Sequence, residues 1–110
     1  MRLATELWVS ALLRRAQVAG AFATVVRHGD DQAGAVLVKV YNPITRETRL
    51  HAQASTGEDE AMWMQPKPEA DEMELDAYAA RQADYDRDLW LVEIEDRQGR
   101  DFLTEKMEKR

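Results

Sequence analysis

With 110 residues, no cysteine, two histidines and a net charge of −6, the chain has room for one domain with an ordinary core. That composition excludes a disulfide framework, a thiolate zinc site and a histidine-rich metal centre, and no cofactor is expected. The acidic balance disfavours broad contact with a phosphate backbone, so no nucleic-acid partner is expected.

A hydrophobic content of 45% is too high for a disordered chain. No apolar run approaches the roughly 18 residues of a membrane span, so no membrane association is expected. Glu6, Arg14 and Arg15 interrupt the apolar N-terminus, which therefore does not read as a secretory signal. Cytoplasm is the expected location.

The first element reads as a helix over Glu6 to Ala19, with Thr5 as N-cap and Gly20 just past its end. Its polar face (Glu6, Ser10, Arg14, Gln17) is narrow. Its apolar arc, which includes Leu7, Trp8, Leu12 and Val18, spans roughly 200°. One sheet face needs less, so a second partner for this helix is expected, either within the domain or in a second subunit.

Ala21 to Arg27 alternates as a strand, Phe22, Thr24 and Val26 against Ala23 and Val25. Gly29 to Gly34 is a turn-rich connection in which Asp30 and Asp31 serve turn chemistry. Ala35 to Tyr41 is a strand apolar on both faces. Asn42 to Thr45 makes a tight turn. Glu47 to Ala54 then closes a hairpin, with Thr48, Leu50, Ala52 and Ala54 inward and Glu47, Arg49, His51 and Gln53 outward.

Ser55 to Asp59 is a loop. Ala61 to Met64 is a short strand ended by Pro66 and Pro68. Glu69 to Arg87 reads as a second helix, acidic at its start and basic toward its end, with an apolar stripe of Leu75, Tyr78, Ala79, Ala83 and Tyr85. The last main strand is Asp88 to Arg97. Trp90, Val92 and Ile94 share one of its faces, and Leu89, Leu91, Glu93 and Glu95 share the other. The tail, 104–110, is charged and expected to fray.

These elements predict a single α+β domain over residues 1–110. Its sheet has about five strands, mixed or antiparallel, with two helices packed on it in the order α-β-β-β-β-α-β.

Three stretches also resemble a known family: Leu7 to Arg15, Ala33 to Lys39, and Asp88 to Asp96. In this order they look like small bacterial proteins, mainly alphaproteobacterial, of domain-of-unknown-function family 1491. The resemblance spans nearly the whole chain. It implies a stand-alone cytoplasmic domain and carries over no catalytic residue or cofactor. Family members often have a longer region between the hairpin and the second helix, which implies that this region is peripheral.

Two groups of residues are candidate sites. Arg15 sits inside the apolar arc of the first helix, where a guanidinium must find an acid, an aromatic face or a route to solvent. It forms a candidate polar cluster with Glu93, Glu95 and Asp96. There the structural reading pairs Arg15 with Glu95 or Asp96, and pairs Glu93 and Glu95 with Lys39, Arg27 or Arg49. The functional readings are an Arg15 guanidinium that holds an anionic ligand or a partner's carboxylate, and a Glu93–Glu95 pair that holds a divalent cation or divides acid and base roles. The second group, Trp8, Leu12, Met62, Trp63 and Met64, is a candidate interaction surface, because Trp and Met suit adaptable contacts.

His28 and His51 have no evident catalytic partner, and no glycine-rich phosphate loop occurs. No residue is assigned a catalytic or metal-binding role. The sequence therefore points to a non-enzymatic interaction or regulatory module, with a homodimer or a protein partner. One rival is a secretion-chaperone-like adaptor, on element order and acidity. The other is a metal-dependent nuclease, for which Glu47-Thr48-Arg49 is the nearest motif and a poor one.

Overall fold

The computed structural model describes residues 3–54, 62–104 and 106–107. Two helices and six strands follow in chain order: α1 (Thr5–Val18), β1 (Phe22–Arg27), β2 (Val36–Tyr41), β3 (Thr48–Ala54), β4 (Met62–Met64), α2 (Glu72–Tyr85), β5 (Trp90–Glu95) and β6 (Lys106–Met107). The strands form one mixed sheet in the order β1-β5-β2-β3-β4-β6. The five longer strands are the expected ones. The Ser55 to Asp59 loop lies outside the described residues, and so does most of the 104–110 tail. Within that tail, Lys106–Met107 pairs in parallel with β4.

The sheet is mixed because β5 returns from α2 between β1 and β2. It runs antiparallel to β1 and parallel to β2, with Val38 opposite Val92 and Lys39 opposite Glu93. A strand with neighbours on both edges and layers on both faces needs apolar residues in both phases of its alternation. β2 meets this demand with five consecutive buried residues.

The two helices lie on opposite faces. On one face Val9, Leu12 and Ala16 of α1 pack on Val36, Val38, Val40, Trp63, Trp90, Val92 and Ile94. On the other, Leu75 and Ala79 of α2 pack on Leu37, Leu50 and Leu89. Trp90, Val92 and Ile94 all face α1, as their two-residue period requires.

The helix ends correct the sequence expectation in instructive ways. α1 begins one residue earlier than expected, and Ala4 is its N-cap without a side-chain hydrogen bond. The orphan amides of Thr5 and Glu6 donate instead to the carbonyls of Gln32 and Asp31. The Thr5 hydroxyl donates to Gly34 O at 3.0 Å, so the 28–34 loop replaces the cap. At the other end Gly20 has φ +92°. Its amide reaches Gln17 O, and Ala21 N reaches Ala16 O, the paired bonds of a Schellman motif.

α2 starts at Glu72, three residues later than expected. Asp71 and Glu74 form a reciprocal capping box there, which holds residues 69–71 outside the helix. Asp71-x-x-Glu74 was legible as that signature. Tyr85, assigned to the apolar stripe, is 86% exposed, because the helix has left the sheet by its last turn.

His51 is a second correction. It was expected to face outward, yet it is buried at 4% exposure. It lies opposite Val38, on the α1 face, because β3 is also covered on both sides.

The 28–34 loop is pressed against the start of β5. Asp30 accepts from Gln32 N and Ala33 N through its carboxylate, while its own carbonyl accepts from Trp90 Nε1 at 2.8 Å. A Cβ on Gly29 would be driven into the carbonyl oxygen of Asp88 and would stand 2.7 Å from the Leu89 carbonyl carbon. Both neighbours are backbone and cannot step aside. Gly29→Ala is therefore expected to lower stability by about 3 kcal/mol, measured as a fall in the urea midpoint with unchanged slope.

Candidate functional site

The acidic end of β5 distributes its three carboxylates to three environments. Glu93 stands opposite Lys39 of β2. The first turns of α2 carry Glu72 and Asp76 over the same point, one helical turn apart. Lys39 Nζ lies 2.8 Å from Glu72 Oε2, 2.8 Å from Asp76 Oδ1 and 3.8 Å from Glu93 Oε2. The lysine is buried, and the three acids are about half exposed. Burial pulls the ammonium pKa down, but the hydrogen bonds to Asp76 and Glu72 and the charge of Glu93 outweigh it, leaving a value above 10.5. Lys39 is thus a fixed cation that ties α2 to the sheet. Its signal in the sequence was one lysine inside an otherwise apolar strand.

Glu95 is exposed on the same strand. Asp96, one residue on, is 4% exposed and organises the turn after β5. Its carboxylate accepts from Gln98 N, Arg100 N and Arg100 Nε through one oxygen, and from Arg100 Nη2 through the other at 2.9 Å. The two-pronged Arg100 contact, more than any other factor, holds the acid at a pKa of about 2, below its ordinary 3.8.

Arg15 does not join these acids. Its Nε and Nη2 both donate to the carbonyl of Phe102, at 3.2 and 2.9 Å. Phe102 adopts φ +61°, a left-handed conformation costly for a bulky residue. The Arg100 guanidinium lies 5.0 Å over its ring. The candidate cluster of Arg15, Glu93, Glu95 and Asp96 therefore divides. Glu93 belongs to the α2 face, and Arg15 anchors the turn that Asp96 builds. The expected Arg15–acid pair is replaced by Arg15–carbonyl bonds, because Arg100 is nearer in sequence and takes Asp96.

His51 Nε2 stands 3.7 Å from Asp101 Oδ2, too far for a hydrogen bond, and Nδ1 has no partner among the described residues. Burial pushes its pKa below 6.5, with Asp101 opposing and Arg49 reinforcing. His28 is exposed, 2.7 Å from Asp31 Oδ1, with its ring 4.0 Å from that of Trp90. Glu47 and Arg49 form an exposed ion pair at 3.2 Å. Among the described residues no group of three or more His, Cys, Asp or Glu is arranged to hold a metal ion.

The candidate interaction surface also divides. Trp63 is 0% exposed and stacks on Trp8, centroids 5.3 Å apart at 21°. Leu12 is also 0% exposed. These two are core residues of the α1 layer. Met62 and Met64 are half-buried and flank Trp63 on the opposite phase of β4.

The large exposed apolar residues lie elsewhere. Phe22 (76%) and Val26 (54%) stand on the edge strand β1, and Leu7 and Val18 on the outer face of α1. The sequence signal for β1 was its alternation, which says that one phase is unburied without saying whether the strand lies at an edge.

Two cavities adjoin these features. One, of about 320 Å³, lies between α2 and the sheet, with an aliphatic floor and with Arg27, Lys39, Asp76 and Glu93 among its walls. The other, about 390 Å³ and more polar, lies beside the Asp96 turn and includes Phe22, Ile44 and Glu95. No helix among the described residues is long and apolar enough to cross a membrane.

Comparison with known proteins follows the same layout. The family model "Protein of unknown function (DUF1491)" matches residues 3–104. A DUF1491 family protein from Caulobacter crescentus CB15, solved by crystallography, is 54% identical, with TM-score 0.93 over 97% of this chain and 100% of that one. An NMR structure of a DUF1491 family protein from Caulobacter crescentus CB15 is 54% identical, with TM-score 0.92 over 99% of each chain. The solution structure of protein Atu0922 from A. tumefaciens is 31% identical, with TM-score 0.81 over 100% of this chain and 99% of that one. No curated protein matches. The family resemblance noted in the three sequence stretches thus extends through the whole fold, and the chain belongs to the DUF1491 family.

Proposed function

We propose that the chain is a non-enzymatic interaction module of the cytoplasm that engages a protein partner, or a second copy of itself, along the open edge of β1. One observation carries this reading. Among the described residues β1 pairs only with β5, and it presents Phe22 at 76% and Val26 at 54% exposure beside its other edge. An unpaired edge offers a row of backbone donors and acceptors, and exposed apolar side chains at alternate positions add the specificity of strand addition. In support, Lys39, Asp96 and Arg100 are engaged in internal ion pairs rather than directed at one shared point.

The test introduces charge at the edge. Phe22→Lys with Val26→Lys touches two exposed positions, so stability should change by no more than about 0.5 kcal/mol each. Association seen in wild type by light scattering, or as a stoichiometric co-purifying protein, should disappear in the double variant. A wild type that stays monomeric and captures nothing, or a variant that associates equally well, would remove the reading.

A further inference from the structure

The 320 Å³ cavity is a formed groove. α2 crosses the sheet over β2 and β3, and the side of it that lines the groove carries Ala79, Ala80 and Ala83, where larger residues would close the gap to β1. Leu91 of β5 and Leu89 just before that strand make the floor, Leu75 and Leu50 one wall, and Val26 the other. A volume of about 300 Å³ is at the lower end of ligand sites, and the lining is predominantly apolar, as such sites are.

The charges are unevenly disposed around it. At the α2 N-terminal end, Lys39 is already surrounded by Glu72, Asp76 and Glu93, so that end carries excess negative charge. At the other end stands Arg27. The register of β1 against β5 slips between Val25 and Arg27, and this irregularity brings Arg27 opposite Leu91 on the groove side. Its guanidinium makes one bond, from Nη2 to the carbonyl of Arg87 at 3.3 Å, and no carboxylate pairs with it among the described residues. Its Nε is shut off from water and has no acceptor there. A half-buried guanidinium fork without a two-oxygen acceptor is an unsatisfied anion receptor, since arginine pairs best with both oxygens of a carboxylate.

We propose that this groove binds a medium-chain aliphatic monocarboxylate, its chain along Leu89 and Leu91 under α2 and its carboxylate on Arg27. The acidic end repels the head group and so fixes the direction of entry. A small rotation of the Arg27 side chain presents Nε together with one terminal nitrogen. The aliphatic lining, with no aromatic ring on the floor, selects a flexible chain over a flat ring.

Decanoate, 1-decanol and decylamine are the probes, titrated into the isotope-labelled full chain and followed by amide chemical shifts. Decanoate should give saturable shifts at Arg27, Ala83 and Leu91. Decanol should bind about 10-fold more weakly, the loss of one charge-assisted contact. Arg27→Gln should bring decanoate down to the level of decanol, and Ala83→Leu, at a half-buried helical position, should abolish both. Absence of saturable shifts in the groove would overturn the proposal. So would tighter binding of decylamine, or undiminished decanoate binding by Arg27→Gln. That last comparison stands even if the groove-filling variant fails to fold.

Discussion

Trp63→Ala is expected to destabilise the protein by about 4 kcal/mol, the upper range for a fully buried aromatic side chain. Trp63 is 0% exposed, lies on the three-residue strand β4, and stacks on Trp8 of α1. It is therefore the contact through which the far side of the sheet holds the first helix. Deleting the indole removes its transfer energy, the stacking term and the packing of Trp8 together, and so short a strand cannot collapse to fill the space. For a domain of this size the melting temperature should fall by roughly 20 °C.

Trp63→Phe supplies the control. The Trp63 Nε1 has no hydrogen-bond partner among the described residues, so the phenyl ring forfeits volume but also removes an unsatisfied donor. Its cost should stay below about 1.5 kcal/mol. Equal losses for Ala and Phe in thermal unfolding would show that the ring stack is not what fixes the helix.

Asp96→Asn should cost on the order of 2 kcal/mol near neutral pH, and the loss should depend on pH in a definite direction. The native carboxyl has a pKa of about 2, below its ordinary 3.8. Its stabilisation is therefore fully present above 3.8 and is lost as the pH falls through about 2. Wild type and variant should converge in strong acid.

His51 gives a separate step that both proteins share. Burial lowers its native pKa below 6.5, so as the pH drops below that value the unfolded chain takes up the proton first and stability falls. Urea midpoints at about pH 7.5, 5 and 2.5 separate the two windows. A gap between wild type and Asp96→Asn that stayed constant down to the lowest pH would contradict the ion pair with Arg100.

The two results bear on how much could be read from the chain. Asp96 reads as part of one polar cluster with Glu93 and Glu95 because the three acids fall within four residues. The two-residue period of a strand puts Asp96 on the face opposite the two glutamates. What it could not supply was Arg100, whose reach back to Asp96 depends on the turn at Gly99, where φ is +69°. Trp63 was legible as apolar and as part of a strand. Its burial was not, because a three-residue strand carries too little alternation to show which face is covered. Arg15 reads from the sequence as a guanidinium inside the apolar arc of α1. Its acceptor is a backbone carbonyl, and backbone acceptors leave no trace in side-chain composition.

The sequence by itself determined the features that depend on local backbone geometry. These are the alternation that puts Trp90, Val92 and Ile94 on one face, the two-sided burial of β2, the hairpin of β2 with β3, and the stop of α1 at Gly20. Each follows from a period of 2 or 3.6 residues, or from the φ that glycine tolerates.

Only the tertiary structure decided that the two helices lie on opposite faces, that β5 enters between β1 and β2, and that β1 is left at an edge. From those choices follow the convergence of Glu72, Asp76 and Glu93 on Lys39, and the opening of a groove beside Arg27. Such contacts join residues dozens of positions apart. They are set by which strands pair and which face each helix covers, and no short-range period carries that information.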